Sequence, residues 1–275
     1  MRMKMTNKTI FITGASRGIG RAIALAAAKV GANVVIASKS AEEHPKLQGT
    51  IFSVAEEVAT LGGSALPIQL DVRKEIQVKM ALEQAHREFG SIDVLVNNAG
   101  AISLTNVEQT SPKRYDLMQS VNHRAVYTLS HYAIPYLKQS PNAHILSLCP
   151  PINLNTKWLK DYAPYTLSKY GMTLLTLGLA EELRPHSIAV NALWPKTMIA
   201  TAAIEFAVGN QNMLNNCRKP DIMADAAMSI VNSQYERFNG QTLLDEDVLK
   251  LDGVEDFSHY AVNPSEPLYP DLFLD

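Results

Sequence analysis

Apolar segments of strand length alternate with longer helical stretches along nearly the whole chain, and that alternation leaves few folds open. Thr9–Thr13 runs straight into Gly14-Ala15-Ser16-Arg17-Gly18-Ile19-Gly20. An Ala- and Leu-rich helical stretch follows up to Gly31, then a second strand over Asn33–Ser38. The same alternation predicts helix at Ile51–Leu61, strand at Ala65–Leu70, helix at Lys74–Phe89 and strand at Ile92–Val96. A long helical region over Pro112–Leu137 leads to a strand at His144–Leu148, and a helix carrying Tyr165 ends near Leu183. Strand Ser187–Leu193, helix Asp221–Asn232 and strand Gln241–Leu244 complete the series. Strands this apolar, separated by helices, need cover on both faces, which a parallel sheet between two helical layers provides. The expected fold is α/β: a doubly wound parallel sheet of about seven strands.

At 275 residues and 47% hydrophobic, the chain can bury one large core. We expect a nucleotide-binding body over residues 1–250 and a tail over 251–275. The stretch Asp252–Asp275, with three prolines and four aromatics, reads as ordered and packed on that body. The formal net charge of −2 gives no electrostatic case for nucleic acid or an anionic membrane. The most apolar window, Ala22–Ala37, is interrupted by Lys29, Gly31 and Asn33, so no membrane span is expected. Met1–Lys8 is polar and basic with no apolar run behind it. Cys149 and Cys217 show no metal-ligand spacing, and so few cysteines fit a reducing, cytoplasmic setting.

The turn after the first strand is the first functional signal. Glycines permit positive φ and close backbone approach, and the helix start behind them presents free N–H groups to phosphate. The spacing is G-x-x-x-G-x-G rather than G-x-G-x-x-G, but strand, turn and helix stand in the order of a Rossmann-type dinucleotide site. An acidic residue closing the second strand would hold a ribose 2′-hydroxyl, whereas a basic one accepts a 2′-phosphate. Here the strand ends in Ser38-Lys39-Ser40, with Arg17 in the first turn; these cations and hydroxyls favour NADP(H). Both cations are equally readable as solvated surface charge. Asp71, after the third strand, is placed to accept from an adenine amino group or to cap a helix. Asn97-Asn98-Ala99-Gly100 closes the fourth strand, at the carboxyl edge where such sheets bind ligands; it also reads as a plain turn.

Tyr165 and Lys169 are the second signal. Residues four apart share a helix face, so a phenol stands above an ammonium. An ordinary phenol, with a pKa of about 10, is a poor proton-transfer group at neutral pH. A neighbouring cation stabilises the phenolate and is expected to lower that pKa. Without context, the pair is also an amphipathic helix with a snorkelling lysine.

Taken together, these residues resemble the short-chain dehydrogenase/reductase family. The matching residues are Thr13 to Gly20, Asn97-Asn98-Ala99-Gly100, Asn122, and Tyr165 with Lys169. Within the family, Ala37 to Ala41, His44-Pro45-Lys46-Leu47, Ala101 to Thr105, Pro150 to Asn155 and Ala192 to Thr197 look closest to the hydroxysteroid dehydrogenase-like branch. Longer members of that branch add a C-terminal sterol-carrier-like domain, which is not expected within these 275 residues. The resemblance implies an NADP(H)-dependent oxidoreductase exchanging a hydride with an alcohol, aldehyde or ketone. In it Tyr165 gives or takes the proton, Lys169 tunes the phenol and binds the nicotinamide ribose, and Asn122 holds a water that relays protons. Gly14, Ala15, Ser16, Arg17, Gly18, Ile19, Gly20, Lys39, Asp71 and Asn98 would bind the cofactor. It also implies a homodimer or homotetramer built on the helices near 112–137 and 162–183.

Two departures stand out. The family serine falls about thirteen residues before the tyrosine, where this chain has Ile152. Aligned by strand, the position is Cys149 or Pro150, while Ser147 reads as a buried hydroxyl; the loop Asn153-Leu154-Asn155-Thr156 is the candidate source of a replacement donor. The family Pro-Gly after the sixth strand is Pro195-Lys196-Thr197, which either touches the ligands or faces solvent. Met198–Lys219, rich in Ala, Met and Phe, covers the family's lid position and hints at a lipophilic substrate, or is a plain packed helix. The alternative function is a dinucleotide-binding sensor or assembly protein that has lost turnover.

Overall fold

Alternation of side chains explains how each strand serves two cores at once. In β1 (Thr9–Thr13), Ile10 and Ile12 point to one face and Phe11 to the other, all fully buried. In β2 (Asn33–Ser38), Val34 and Ile36 join the first set and Val35 and Ala37 the second. The remaining strands are β3 (Ser64–Gln69), β4 (Val94–Asn97), β5 (His144–Ser147), β6 (Ala189–Trp194) and β7 (Thr242–Leu244). All seven pair in parallel, in the order β3-β2-β1-β4-β5-β6-β7. The computed structural model describes residues 5–45, 47–202, 204 and 211–275.

One face is covered by α1 (Gly18–Lys29), α2 (Ile51–Thr60) and α8 (Asp221–Val231), through Ile23, Val54, Val58, Ile222 and Ile230. The other is covered by α3 (Glu75–Phe89), α5 (Ala125–Leu137) and α7 (Ala163–Glu182), through Val78, Leu82, Leu129 and Leu179. Each such side chain contributes about 1.5–3 kcal/mol by leaving water. The strand order reverses between β1 and β4, so the loops after these two strands diverge and leave a crevice at their carboxyl ends. No helix among the described residues is long and apolar enough to cross a membrane.

Several boundaries shift by a residue, and three depart from expectation more clearly, each for a local reason. β4 begins at Val94 rather than Ile92 because Asp93, buried, turns its carboxylate onto the Thr9 amide, Lys8 Nζ and the Ser91 and Ser140 hydroxyls. β6 begins at Ala189 because a 3₁₀ turn over Arg184–His186 ends with Ser187 in the left-handed region. The single helix expected over Pro112–Leu137 is α4 (Pro112–Gln119), a π-helical turn over Ser120–Arg124, then α5. That turn surrounds the fully buried Asn122. Two short helices, α6 (Thr156–Lys160) and α9 (Asp245–Leu251), follow β5 and β7.

Of the expected lid, 203 and 205–210 lie outside the described residues, as do Lys46 and residues 1–4. The two ends of that segment are tied to each other, the Arg218 amide donating to the Met198 carbonyl and the Ala200 amide to that of Arg218, while the Met198 and Lys219 amides donate outward to the Tyr269 and Tyr260 carbonyls.

Candidate active site

The crevice at the strand reversal is built by hydrogen bonds between the two diverging loops. Thr13 Oγ1 accepts from the amides of Asn98 and Ala99, both at 3.1 Å. Asn98 Nδ2 donates back to the Thr13 and Gly14 carbonyls, at 2.8 and 3.1 Å. The glycine turn is therefore held open by Asn98, whose amide braces the cradle. Gly14 and Gly18 have positive φ, of 66° and 56°. A Cβ on Gly20 would sit 2.5 Å from both Asn98 Nδ2 and the Gly14 carbonyl oxygen, so only glycine allows this approach.

A cavity of about 620 Å³ runs along this edge. It brings together Gly14, Ser16, Arg17, Gly18 and Ile19 of the first turn with Lys39 and Asp71 at one end. Asn98 lies between, and Tyr165 and Lys169 line the far end. Ala15 and Gly20 sit behind the turn, and Asn122 lies beneath the floor; none of the three lines the cavity.

The basic end is arranged differently from the sequence expectation. Arg17 is turned away onto the 40–49 loop, donating to the Gln48 and Gly49 carbonyls and to Ser40 Oγ. Asp71 is not left open for a ligand: Oδ1 accepts from the Arg73 amide, and both oxygens take the Arg73 guanidinium. Those hydrogen bonds hold its carboxyl down at about 2 despite burial. Lys39 Nζ lies 3.8 Å from the same carboxylate and is otherwise exposed. Arg73, which lines the cavity, thus joins Lys39 as the second cation at this end. Its position two residues past Asp71 was its only sequence signal.

At the far end, Lys169 is buried, donates from Nζ to the Leu148 carbonyl at 2.7 Å and lies 5.1 Å over the Trp194 ring. Burial pushes its pKa down to about 8, against the opposing pull of Cys149 and Asp271. Tyr165 is likewise buried, and its ring stacks on Phe273 with centroids 6.1 Å apart. The expected acidification of the phenol by Lys169 is reversed in this arrangement. Burial and the nearby Asp271 carboxyl both push the Tyr165 pKa up.

The Asn122 side chain is committed to three contacts within the protein. Oδ1 accepts from the Ala101 amide, and Nδ2 donates to the Ala101 carbonyl and to Ser168 Oγ, all at 2.8–2.9 Å. Ser168 Oγ donates in turn to the Tyr165 carbonyl. The π-helical turn thereby ties the loop after β4 to the first turns of α7.

No hydroxyl replaces the family serine in its own segment. Ser147 Oγ, fully buried, accepts from Asn97 Nδ2; Cys149 is buried; Ile152 is partly exposed. In the loop Asn153-Leu154-Asn155-Thr156, the expected source of a substitute, Asn153 and Asn155 spend their side-chain amides on the C-terminal segment, at the Phe273 carbonyl and the Asp275 carboxylate, and Thr156 is exposed. Lys196 does not line the cavity, and its ammonium pairs with Glu246 at 2.9 Å. Residues with no motif signal fill the space: Phe273 packs among Trp158, Tyr165, Tyr170 and Trp194, and Asp271 and Leu272 line the cavity.

Comparison with known proteins gives a consistent picture. A family model described as short chain dehydrogenase matches residues 8–208. The chain is 54% identical over 272 residues to human hydroxysteroid dehydrogenase-like protein 2, covering 99% of this chain and 64% of that protein. Across such relatives it spans between 51% and 65% of their length. Among solved structures, a short chain dehydrogenase from Mycobacterium thermoresistibile is 47% identical with a TM-score of 0.93, covering 99% of this chain and 96% of that one. A metagenomic short-chain oxidoreductase in complex with NADP is 27% identical with a TM-score of 0.72, covering 87% and 97%.

Proposed function

The chain belongs to the short-chain dehydrogenase family, on its hydroxysteroid dehydrogenase-like branch, and from that premise we propose an NADP(H)-dependent oxidoreductase acting on a lipophilic aldehyde, ketone or alcohol. The observation that carries this is the single cavity running from Lys39 and Arg73, past the glycine turn, to Tyr165 and Lys169. It joins a site for an anionic nucleotide to a proton-transfer pair.

The residues present fit a nicotinamide dinucleotide: the turn admits close backbone approach only because Gly14, Gly18 and Gly20 lack a Cβ. Lys39 and Arg73 would hold a 2′-phosphate, and the N-terminus of α1 the diphosphate. Ser16 and Ser38, whose hydroxyls lie 3.1 Å apart, would flank the ribose. The relative that carries NADP supports this choice over NAD. Bound there, the cofactor supplies or accepts a hydride.

Tyr165 exchanges the proton. Held protonated by burial, it is set to give a proton to a carbonyl oxygen as that oxygen gains electrons. Lys169, with its pKa brought near 8, stabilises the phenolate left behind and can return a proton to it. Asn122 acts as a positioning residue through Ser168 and the Tyr165 carbonyl. The aromatic and aliphatic cluster of Met118, Tyr170, Trp194, Phe273, Ile102 and Leu104 around Tyr165 suits an apolar substrate body.

A second reading, a dinucleotide sensor without turnover, is favoured by one observation: Asn153 and Asn155 are both occupied by the tail. Following reduced-nicotinamide absorbance over a panel of medium- and long-chain aldehydes and ketones, with NADPH and NADH titrated alongside, separates the two. NADPH binding with turnover supports the enzyme. Tight binding without turnover in either direction supports the sensor.

A further inference from the structure

The C-terminal segment is built into the active site rather than laid beside it. The Met198 amide donates to the Tyr269 carbonyl and the Asp271 amide to that of Lys196, which fixes the segment against the loop that follows β6. Trp194 Nε1 donates to the Leu272 carbonyl at 3.0 Å. Asn153 takes the Phe273 carbonyl, and Lys157 closes on the Asp275 carboxylate at 2.7 Å. Between these anchors Phe273, 1% exposed, backs the phenol of Tyr165, and Asp271 enters the cavity that Tyr165 and Lys169 line.

Asp271 is an unusual group to bury there. Its Oδ1 accepts from the Leu272 amide at 2.7 Å; among the described residues nothing hydrogen-bonds Oδ2, and no cation forms an ion pair with it. A carboxyl buried without a cation favours its neutral form, which carries an O–H and donates a hydrogen bond. Lining the same cavity as the protonated phenol of Tyr165, it brings a second donor to that space.

On the oxidoreductase reading above, we propose that Asp271 is a catalytic residue of this site, its neutral carboxyl donating a hydrogen bond to the substrate oxygen opposite Tyr165. In carbonyl reduction the hydride from reduced nicotinamide forms the new C–H bond, and the carbonyl π pair moves to oxygen. Oxygen takes the Tyr165 proton; Asp271 keeps its own and stabilises the developing charge. A neutral acid in an apolar pocket is a known way to supply such a donor.

The charge state of Asp271 then governs the rate. Burial, with Asp245 adding to it, pushes its carboxyl up to about 7, while the Leu272 amide and Lys169 pull the other way. The titratable groups facing it are Tyr165 and Lys169 on α7, Cys217, and Asp245 at the start of α9; Lys196 meets it through its main chain and turns its ammonium to Glu246. Deprotonation removes the donor and sets a negative charge beside the oxygen, so turnover falls as pH rises through about 7.

The test compares Asp271→Ala and Asp271→Asn in the full chain. Asp271→Ala is expected to lose about 10²-fold in kcat, with NADPH affinity within about twofold, because the donor acts on the developing oxyanion and not on the nucleotide. Asp271→Asn keeps an N–H donor, so it retains most of the rate and no longer loses activity as pH rises through about 7. Trp194 emission, sensitive to its bond with Leu272, reports whether the segment stays docked. Equal damage in both variants with the segment docked, or parental rates in Asp271→Ala, overturns the proposal. The Lys169 titration, followed by NMR on ¹³C-labelled lysine, needs no turnover: its midpoint drops below the parental value in both variants if the carboxyl faces it. An unmoved midpoint overturns the proposal. A shifted midpoint in a protein without any turnover instead removes the oxidoreductase reading while keeping the placement of the carboxyl.

Discussion

Replacing Thr13 by Val tests how the crevice is held together. The side chain is fully buried, and its Oγ1 accepts the amides of Asn98 and Ala99 while donating to the Val96 carbonyl at 3.3 Å. Valine has nearly the same shape but no acceptor, so two amides at the strand reversal lose their partner. A buried N–H left unpaired costs about 1–3 kcal/mol. Asn98 and Ala99 are only half-buried, which puts the cost at the low end, about 2 kcal/mol for the pair. For a chain of this size that lowers Tm by roughly 4–8 °C. Thr13→Ser removes only a methyl and keeps the acceptor, at about 0.8 kcal/mol. Thermal melts and NADPH titrations of the two variants should therefore rank Val as the more damaging, with the weaker cofactor binding. Hydrophobic burial alone predicts the reverse ranking. A valine variant melting within about 1 °C of the parent would falsify the view that Thr13 pins the two loops.

Three other outcomes follow from the geometry. Lys39→Gln with Arg73→Gln removes two charge-assisted contacts and should weaken NADPH by at least about tenfold with little effect on NADH; equal losses for both cofactors exclude these residues as the 2′-phosphate site. His144, buried with Nε2 donating to the Ser233 carbonyl, is held down at about 4 from 6.5, chiefly by burial. The unfolded chain takes up that proton first, so stability falls as pH drops from 6.5 towards 4, by roughly 3 kcal/mol in total. His144→Gln should flatten that slope in pH-dependent denaturant melts, and an unchanged slope excludes this histidine as its source. Gly20→Ala should abolish measurable NADPH binding, since its Cβ would meet the Gly14 carbonyl oxygen, which cannot swing away; retained affinity shows that the turn relaxes.

Much of the fold was legible because it rests on local periodicity. Every expected strand is present, since a five-residue apolar run such as Thr9–Thr13 must be covered on both faces wherever it lies. The boundaries that moved depend on contacts remote in sequence. Asp93 delays the start of β4 by binding Lys8 and Ser140, and no window around Ile92 contains either. The glycine turn, Asn98 and the Tyr165–Lys169 pair could be read because motif spacing survives folding. The electrostatics at Tyr165 could not. Spacing brings one cation near the phenol, while the carboxyl that opposes it arrives from Asp271, more than a hundred residues away. Likewise Asn153 and Asn155 looked like free donors until the tail's Phe273 carbonyl and Asp275 carboxylate claimed them. The aromatic residues of the tail gave a hint that it packs, but not that it packs on the reacting phenol.

The most direct test of the central claim is a single-turnover reduction in which Tyr165→Phe is compared with the parent, using NADPH and a carbonyl substrate identified in the panel. Proton donation by Tyr165 predicts NADPH affinity within about twofold of the parent and a hydride-transfer rate lower by roughly 10³-fold. A Phe variant that binds NADPH and reduces the carbonyl at the parental rate contradicts it.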